Sequence, residues 1–369
     1  ETMPGDTQAK VKSQAHNPKG FSLFWNLLIP AAALLVCFAA LEVFARSAVS
    51  QKIFPLRSYG NYHAQFEIKW NKLEKFVKDN GGVDVILLGN SMVNTGIDPA
   101  LFASEYAETT NTELLRVFNF GVEGLTVPPM VDLSRLLTET YHPGTIIYFT
   151  EMRDYLADNG DDVTQSFLAN EWLKYNLGQK SLLGWAVDHS VALQRLLPLR
   201  NWPQADFLDV YLQNLRRFDN TRSNGYEPEI QIVDFSGALP DASNPADQKL
   251  FDLYGNYTVS PERLDYLQKI IGLSSDGPIV FITEFPAYPG FYTYFGGTQV
   301  HAAYLAQISE FIAAQRGIFL APIDPNLIPL NGRSDDHHLN VNGAKLYSAL
   351  LGKQLGHFCL EQGRCLKGN

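Results

Sequence analysis

The sequence predicts a three-layer α/β/α fold, a doubly wound parallel sheet covered by helices on both faces, behind one N-terminal transmembrane helix. Three observations predict it. Short apolar runs without polar alternation recur along the chain, helical patterns fall between them, and one run near the start is long enough to cross a bilayer. Strands buried on both faces read as continuous apolar runs, and parallel neighbours need crossovers that helices supply.

Residues 1–20 are polar and rich in Gln, Lys, Asp and Pro, the composition of a mobile tail. "FSLFWNLLIPAAALLVCFAALEVFA", residues 21–45, has Glu42 as its only charge. At about 1.5 Å per residue such a run covers a hydrocarbon core of roughly 30 Å with tilt to spare. A cleaved signal peptide is the competing reading, and this run exceeds the ~7 to 15 apolar residues that such a peptide uses. Val36 before Cys37 is too bulky for a lipidation signal. Lys10, Lys12 and Lys19 before the span are balanced by Arg46, Lys52 and Arg57 after it, so these charges do not orient it.

Residues 46–82 read as a membrane-proximal connector ending in the amphipathic helix "FEIKWNKLEKFVKDN", which Gly81 and Gly82 stop. The α/β domain is then expected over 83–358. Its strands are "VDVILLG" from Val83, "LLRVFNFG" from Leu114, "GTIIYFT" from Gly144, "GPIVFITE" from Gly277 and "GIFLAPI" from Gly317. Helices are expected over Pro129–Thr140, Ser260–Leu273, Val300–Gln315 and Val341–Leu355. About 154–256 is too long for a loop, and it reads as an insertion or lid with helices of its own.

The tail 359–369 opens with "CLEQGRC", in which Cys359 and Cys365 bracket Gly363. They are either a small disulfide ring or two separate thiols. A disulfide puts the main domain in an oxidising compartment, periplasmic or extracellular, with the N-terminus cytoplasmic.

Composition narrows the function. With 46% apolar and 18% charged residues the 369-residue chain can bury a full core, and a net charge of -10 argues against nucleic acid as a partner. No GxxxxGK[ST], HExxH or CxxC pattern is present. The expectation is that no cofactor and no metal are used.

In an open parallel sheet, ligands bind beyond the carboxyl ends of the strands, and the first strand ends at Gly89-Asn90-Ser91. Ser91 is either a helix cap or a nucleophile whose N–H also donates to an oxyanion. A nucleophile needs a base. "GRSDDHHLNVNGAKLYSALL", residues 332–351, reaches the same sheet edge and holds Asp335 three residues before His338. One turn at that spacing lets the carboxylate orient the imidazole while Nε2 faces the serine. A solvated or metal-binding Asp-Asp-His-His cluster is the other reading. "TEFPAYPGFYTYFGG", residues 283–297, either lines a sugar or acyl site or packs as an ordinary aromatic loop, and Asn256-Tyr257-Thr258 is a formal glycosylation sequon.

Together these blocks resemble the SGNH or GDSL hydrolase family. "GNSM" is similar to its nucleophile block, "NFGVEG" (119–124) to its second block and "DDHHLNVNGA" to its closing Asp-x-x-His block, in the family's order over about 83–355. The resemblance implies a flavodoxin-like sheet, Ser91 as nucleophile, His338 as general base and acid, Asp335 as its orienter, and the Ser91 and Gly121 N–H groups as oxyanion donors. The chain departs from the family at two places. Gly-Asn-Ser replaces Gly-Asp-Ser, and where Gly-x-Asn-Asp should follow the third strand stands "TEMRDY", 150–155, with Arg153 at the Asn position. Arg153 either replaces that oxyanion donor or pairs with Glu151 or Asp154. The expectation is a membrane-anchored serine esterase or O-acyltransferase acting on O-acyl, chiefly O-acetyl, groups of envelope glycans. Its partners would be the bilayer, an acylated glycan and, as the resemblance implies, a membrane-bound acyltransferase. The alternative is a weakly active or inactive subunit of a membrane protein complex that keeps the fold as a scaffold.

Overall fold

The computed structural model describes residues 19–61, 63–157, 162–200, 202, 204–231, 235–275, 277–363 and 365–366. The expected tail lies outside these residues up to position 18, as do 367–369 at the other end and short parts of the insertion. The chain divides after Ile53 into two units.

The first unit holds the helix Lys19–Arg46 and the short helix Ala48–Ile53. Its Trp25–Arg46 part is long and apolar enough to cross a membrane, and Leu34, Leu35 and Val43 on it are exposed.

The second unit is built on a five-stranded sheet in which every pair is parallel, in the order β2-β1-β3-β4-β5. The strands are β1 Val85–Gly89, β2 Val117–Gly121, β3 Thr145–Thr150, β4 Ile279–Glu284 and β5 Ile318–Phe319. All five coincide with the apolar runs. β5 is cut to two residues, a short edge that pairs only with Phe281 and Ile282 of β4.

Successive strand residues alternate between two apolar cores. Ile86, Leu88, Phe118, Phe120, Ile146 and Ile282 pack on one side with the helices Ala64–Asn80, Val127–Tyr141, Pro261–Gly272 and Thr298–Ala314. Val85, Leu87, Val117, Ile147 and Phe281 pack on the other with Ser91–Gly96, Pro99–Thr110 and Val341–Gln362. Burial on both faces is why the strands lack alternation.

Two boundaries differ from expectation. The amphipathic helix assigned to a connector is part of the domain core: Phe66, Trp70 and Leu73 are buried against the sheet layer, so the unit begins at Phe54 rather than Val83. The last helix runs to Gln362, which puts Cys359 inside it. Gly363 caps that helix with φ 63°, its N–H donating to Cys359 O at 2.8 Å, and this turn brings Cys365 back to form a disulfide with Cys359. The insertion holds short helices, among them Glu171–Asn176, Leu182–His189, Val191–Leu196 and Phe207–Asn220.

Candidate active site

β1 lies between β2 and β3, so the chain leaves it in one direction and returns on its other side. Such a reversal opens a crevice beyond the carboxyl ends of the strands. Ser91 stands there as the first residue of a helix. Asn90 makes the turn: its Oδ1 accepts from Met92 N at 2.9 Å, and its Nδ2 donates to Glu151. Gly89 admits the helix, because a Cβ there would lie 2.5 Å from Val93 Cγ2 and 3.1 Å from Phe149 O.

The closing loop meets this turn. Asp335 Oδ1 accepts from the N–H groups of His337 at 2.9 Å and His338 at 2.7 Å, which curls the loop back on itself. The buried Arg333 ties it to the rest of the domain, donating to Pro286 O at 3.0 Å and Pro325 O at 2.9 Å. Asn340 caps the last helix and donates to Asn331 O at 2.8 Å.

The result is a connected line of three side chains. His338 Nδ1 lies 2.8 Å from Asp335 Oδ2, and His338 Nε2 lies 2.8 Å from Ser91 Oγ. A carboxylate only accepts, so Nδ1 carries the ring proton and Nε2 offers its lone pair to the serine hydroxyl. Burial opposes the Asp335 charge, but the hydrogen bond from His338 and the nearby histidines outweigh it and hold the carboxyl below its ordinary range. A hydroxyl held by an imidazole that an ionised carboxylate orients is set to lose its proton to Nε2.

The expected oxyanion donors fare differently. The Ser91 N–H opens a helix, where first-turn N–H groups lack intrahelical acceptors. The Gly121 N–H instead donates to Asn119 Oδ1 at 2.9 Å, so Gly121 does not supply the donor expected of it. Its glycine serves packing, since a Cβ would lie 2.2 Å from Asn94 N in the serine helix. Arg153 is likewise engaged, with Nε and Nη2 at 3.0 and 2.6 Å from Glu151 Oε1. Of the two expectations for it, pairing with Glu151 is the one observed.

Three residues at the site do more than the sequence assigned them, which was pairing with Arg153 for Glu151 or Asp154 and a place in the second block for Asn119. Glu151 joins Asn90 to Arg153, and its Oε2 is buried with no hydrogen-bond partner among the described residues. Asn119 clamps β2 to the serine helix through Val93 O at 2.7 Å and Ile97 O at 2.8 Å. Asp154 accepts from Tyr148 OH at 3.0 Å, Thr150 Oγ1 at 3.1 Å and Glu151 N at 3.1 Å, and burial raises its pKa. Only the run of polar residues at the end of β3 hinted at this cluster. The aromatic loop after β4 packs inward: Phe291, Tyr292, Tyr294 and Phe295 are all buried.

Asp335, His337 and His338 bring donor atoms within 4.8 Å of one another, close enough to share a cation. Both ring nitrogens of His338 are already engaged, so a cation on that ring would displace either Ser91 or Asp335. The chain matches no protein-family model and no curated protein.

Proposed function

We propose that this chain is a membrane-anchored serine esterase or O-acyltransferase of the SGNH type, acting on short O-acyl groups of envelope glycans. One observation carries the reading: the unbroken Ser91–His338–Asp335 line, with 2.8 Å at each of its two contacts. The strand order β2-β1-β3-β4-β5, which is that of flavodoxin-like sheets, supports it, as does the place of Ser91 at the carboxyl end of β1. The apolar Trp25–Arg46 helix supports the anchor, and the Cys359–Cys365 disulfide supports an outward-facing domain with a cytoplasmic N-terminus. Acetyl on a glycan hydroxyl as substrate, and a membrane-bound acyltransferase as partner, rest on the family resemblance.

In the proposed reaction Ser91 Oγ attacks the acyl carbonyl while His338 Nε2 takes the hydroxyl proton. The carbonyl oxygen becomes an oxyanion that faces the Ser91 N–H. Collapse breaks the ester C–O bond, and His338 returns the proton to the departing alcohol, leaving acyl-Ser91. Water or a sugar hydroxyl then attacks that ester and gives its proton to Nε2. Collapse returns the proton to Ser91 and releases an acid or a new ester.

The test is labelling of the purified chain by a fluorophosphonate together with turnover of a simple acetyl ester. Both are expected in the wild type and lost in Ser91→Ala; labelling that persists in Ser91→Ala rules the assignment out. The engaged Gly121 and Arg153 favour a second reading, a weakly active or inactive scaffold subunit of a membrane complex. Labelling at Ser91 without turnover above the Ser91→Ala background would select it.

A further inference from the structure

Among the described residues of the second unit, about half of the exposed large apolar side chains fall in one stretch of the insertion, 182–212. Leu182 is 83%, Trp202 71% and Leu208 61% exposed, and Leu183, Trp185 and Leu212 stand out beside them in sequence. Soluble surfaces scatter such residues singly, so their density along this one stretch of chain sets it apart as a stretch that meets something apolar. The Phe207–Asn220 helix shows the pattern on its own. Its Phe207 and Tyr211 face inward, while Leu208 and Leu212, one turn apart, face out.

The chain fixes what lies near this surface. Residues 54–61, which open the second unit, are bonded into the middle of the stretch. Ser58 N donates to Gln194 O at 2.8 Å, Arg57 Nη1 to Gln194 Oε1 at 3.3 Å, Arg200 Nη2 to Asn61 O at 3.2 Å, and Arg195 to Phe54 O. Leu56, Leu197, Phe207 and Val210 also line one cavity of about 140 Å³. Ser47 and the short Ala48–Ile53 helix are all the chain between Arg46 and Phe54. The exposed stretch is therefore hydrogen-bonded to the first residues of the second unit, which follow the apolar helix in the chain after seven residues.

We propose that the 182–212 surface is a second membrane contact, seated in the headgroup region of the bilayer that the Trp25–Arg46 helix crosses. The inference rests on the reading of that helix as a membrane span. Exposed Trp and Leu side chains suit an interface that is apolar below and wet above, and tryptophan concentrates at that depth. The contact would hold the insertion at the membrane, so that the catalytic crevice works at a fixed height above the lipid.

The test uses the full chain in lipid nanodiscs and an environment-sensitive fluorophore on one cysteine at a time. The wild type takes the label on Cys37, which is free and lies within the apolar helix. In a Cys37→Ser background the label goes on Trp202→Cys, on Leu208→Cys, or on Leu114→Cys as an exposed control outside the insertion. With acyl-chain-brominated lipid, the labels at 37, 202 and 208 should lose most of their emission and the label at 114 should keep it. Quenching at 37 but not at 202 and 208 overturns the inference and leaves the membrane span standing. No quenching at 37 removes the span and the inference with it. Equal quenching at 114 and 202 overturns the inference as well.

Discussion

His338 has two ring nitrogens, and its chemistry depends on which of them holds the proton. Asp335 decides this, because a carboxylate at 2.8 Å from Nδ1 only accepts and so leaves Nε2 free to accept from Ser91 Oγ. An amide at the same place can donate to Nδ1 and drive the proton to Nε2, where it cannot take another. Under the proposed reaction Asp335→Asn is therefore expected to lower ester turnover by about 10⁴ with the fold intact, as loss of the correct tautomer does in serine proteases. Steady-state rates with an acetyl ester, beside an unchanged melting curve, check it. That Ser91, His338 and Asp335 meet could be expected from the sequence, because the pattern is defined by side-chain types and His338 is the one histidine that follows an aspartate by three. The partners of Gly121 and Arg153 were not. Whether the Gly121 N–H or the Arg153 guanidinium is free depends on Asn119 Oδ1 and Glu151 Oε1, neighbours whose reach the sequence does not print.

The serine helix is only six residues long, too short to hold itself, and is kept in place by what it touches. Asn90 caps it, Asn119 Nδ2 takes the carbonyls of Val93 and Ile97, and β2 approaches so closely that residue 121 has no room for a Cβ. Gly121→Ala would set a methyl 2.2 Å from Asn94 N and 2.7 Å from Asn94 Cα, atoms of the backbone that cannot swing aside. A loss of at least about 1–3 kcal/mol is expected from such overpacking, and Ser91 should drift from His338. An apparent melting temperature lower by several degrees, with slower fluorophosphonate labelling, checks it; unchanged values would show that β2 and the helix can part at no cost. At this scale the sheet was legible, since a strand buried on both faces has no polar position with which to disguise itself. The helix Ala64–Asn80 was legible as a helix but not as core. Its period tells which face is apolar, and only the fold tells that the face lies on the sheet rather than near a membrane. The insertion's helices at Glu171–Asn176, Leu182–His189 and Val191–Leu196 are short, and each is capped by its own Asn170, Ser181 or Ser190, local devices without a long period to read.

Three parts of the second unit that are remote in sequence meet at one fully buried cation. Lys69 leaves the Ala64–Asn80 helix and donates to Asn119 O at 3.2 Å and Oδ1 at 3.3 Å on β2, and to Gly225 O of the insertion. Among the described residues no carboxylate touches its ammonium; Glu227 and Glu123 help from a distance and Arg217 opposes them. Burial dominates and lowers the pKa from 10.5 to about 7. Two residues earlier Glu67 shows the mirror case. Burial raises it from 4.5 to about 8 against hydrogen bonds from Ser58, Tyr59 and Asn61. The signs follow from proton uptake. Between about 7 and 10.5 the unfolded chain holds a proton on Lys69 that the folded chain lacks, so this group makes stability rise with pH. Between 4.5 and about 8 the folded chain holds a proton on Glu67 that the unfolded chain lacks, so that group makes stability fall as pH rises. Their opposed slopes put a shallow minimum near neutrality in the stability profile. Lys69→Met removes the ammonium and keeps a side chain of similar length, so its melting temperature should lose the upward slope above pH 7 that the wild type shows. Glu67→Gln should lose the downward slope on the acid side instead. Melting curves of the three proteins at pH 6, 7.5 and 9, in one detergent, check both. If Lys69→Met runs parallel to the wild type above neutrality, the lysine keeps its proton in the fold, and its three carbonyl-type acceptors are enough to hold a buried charge.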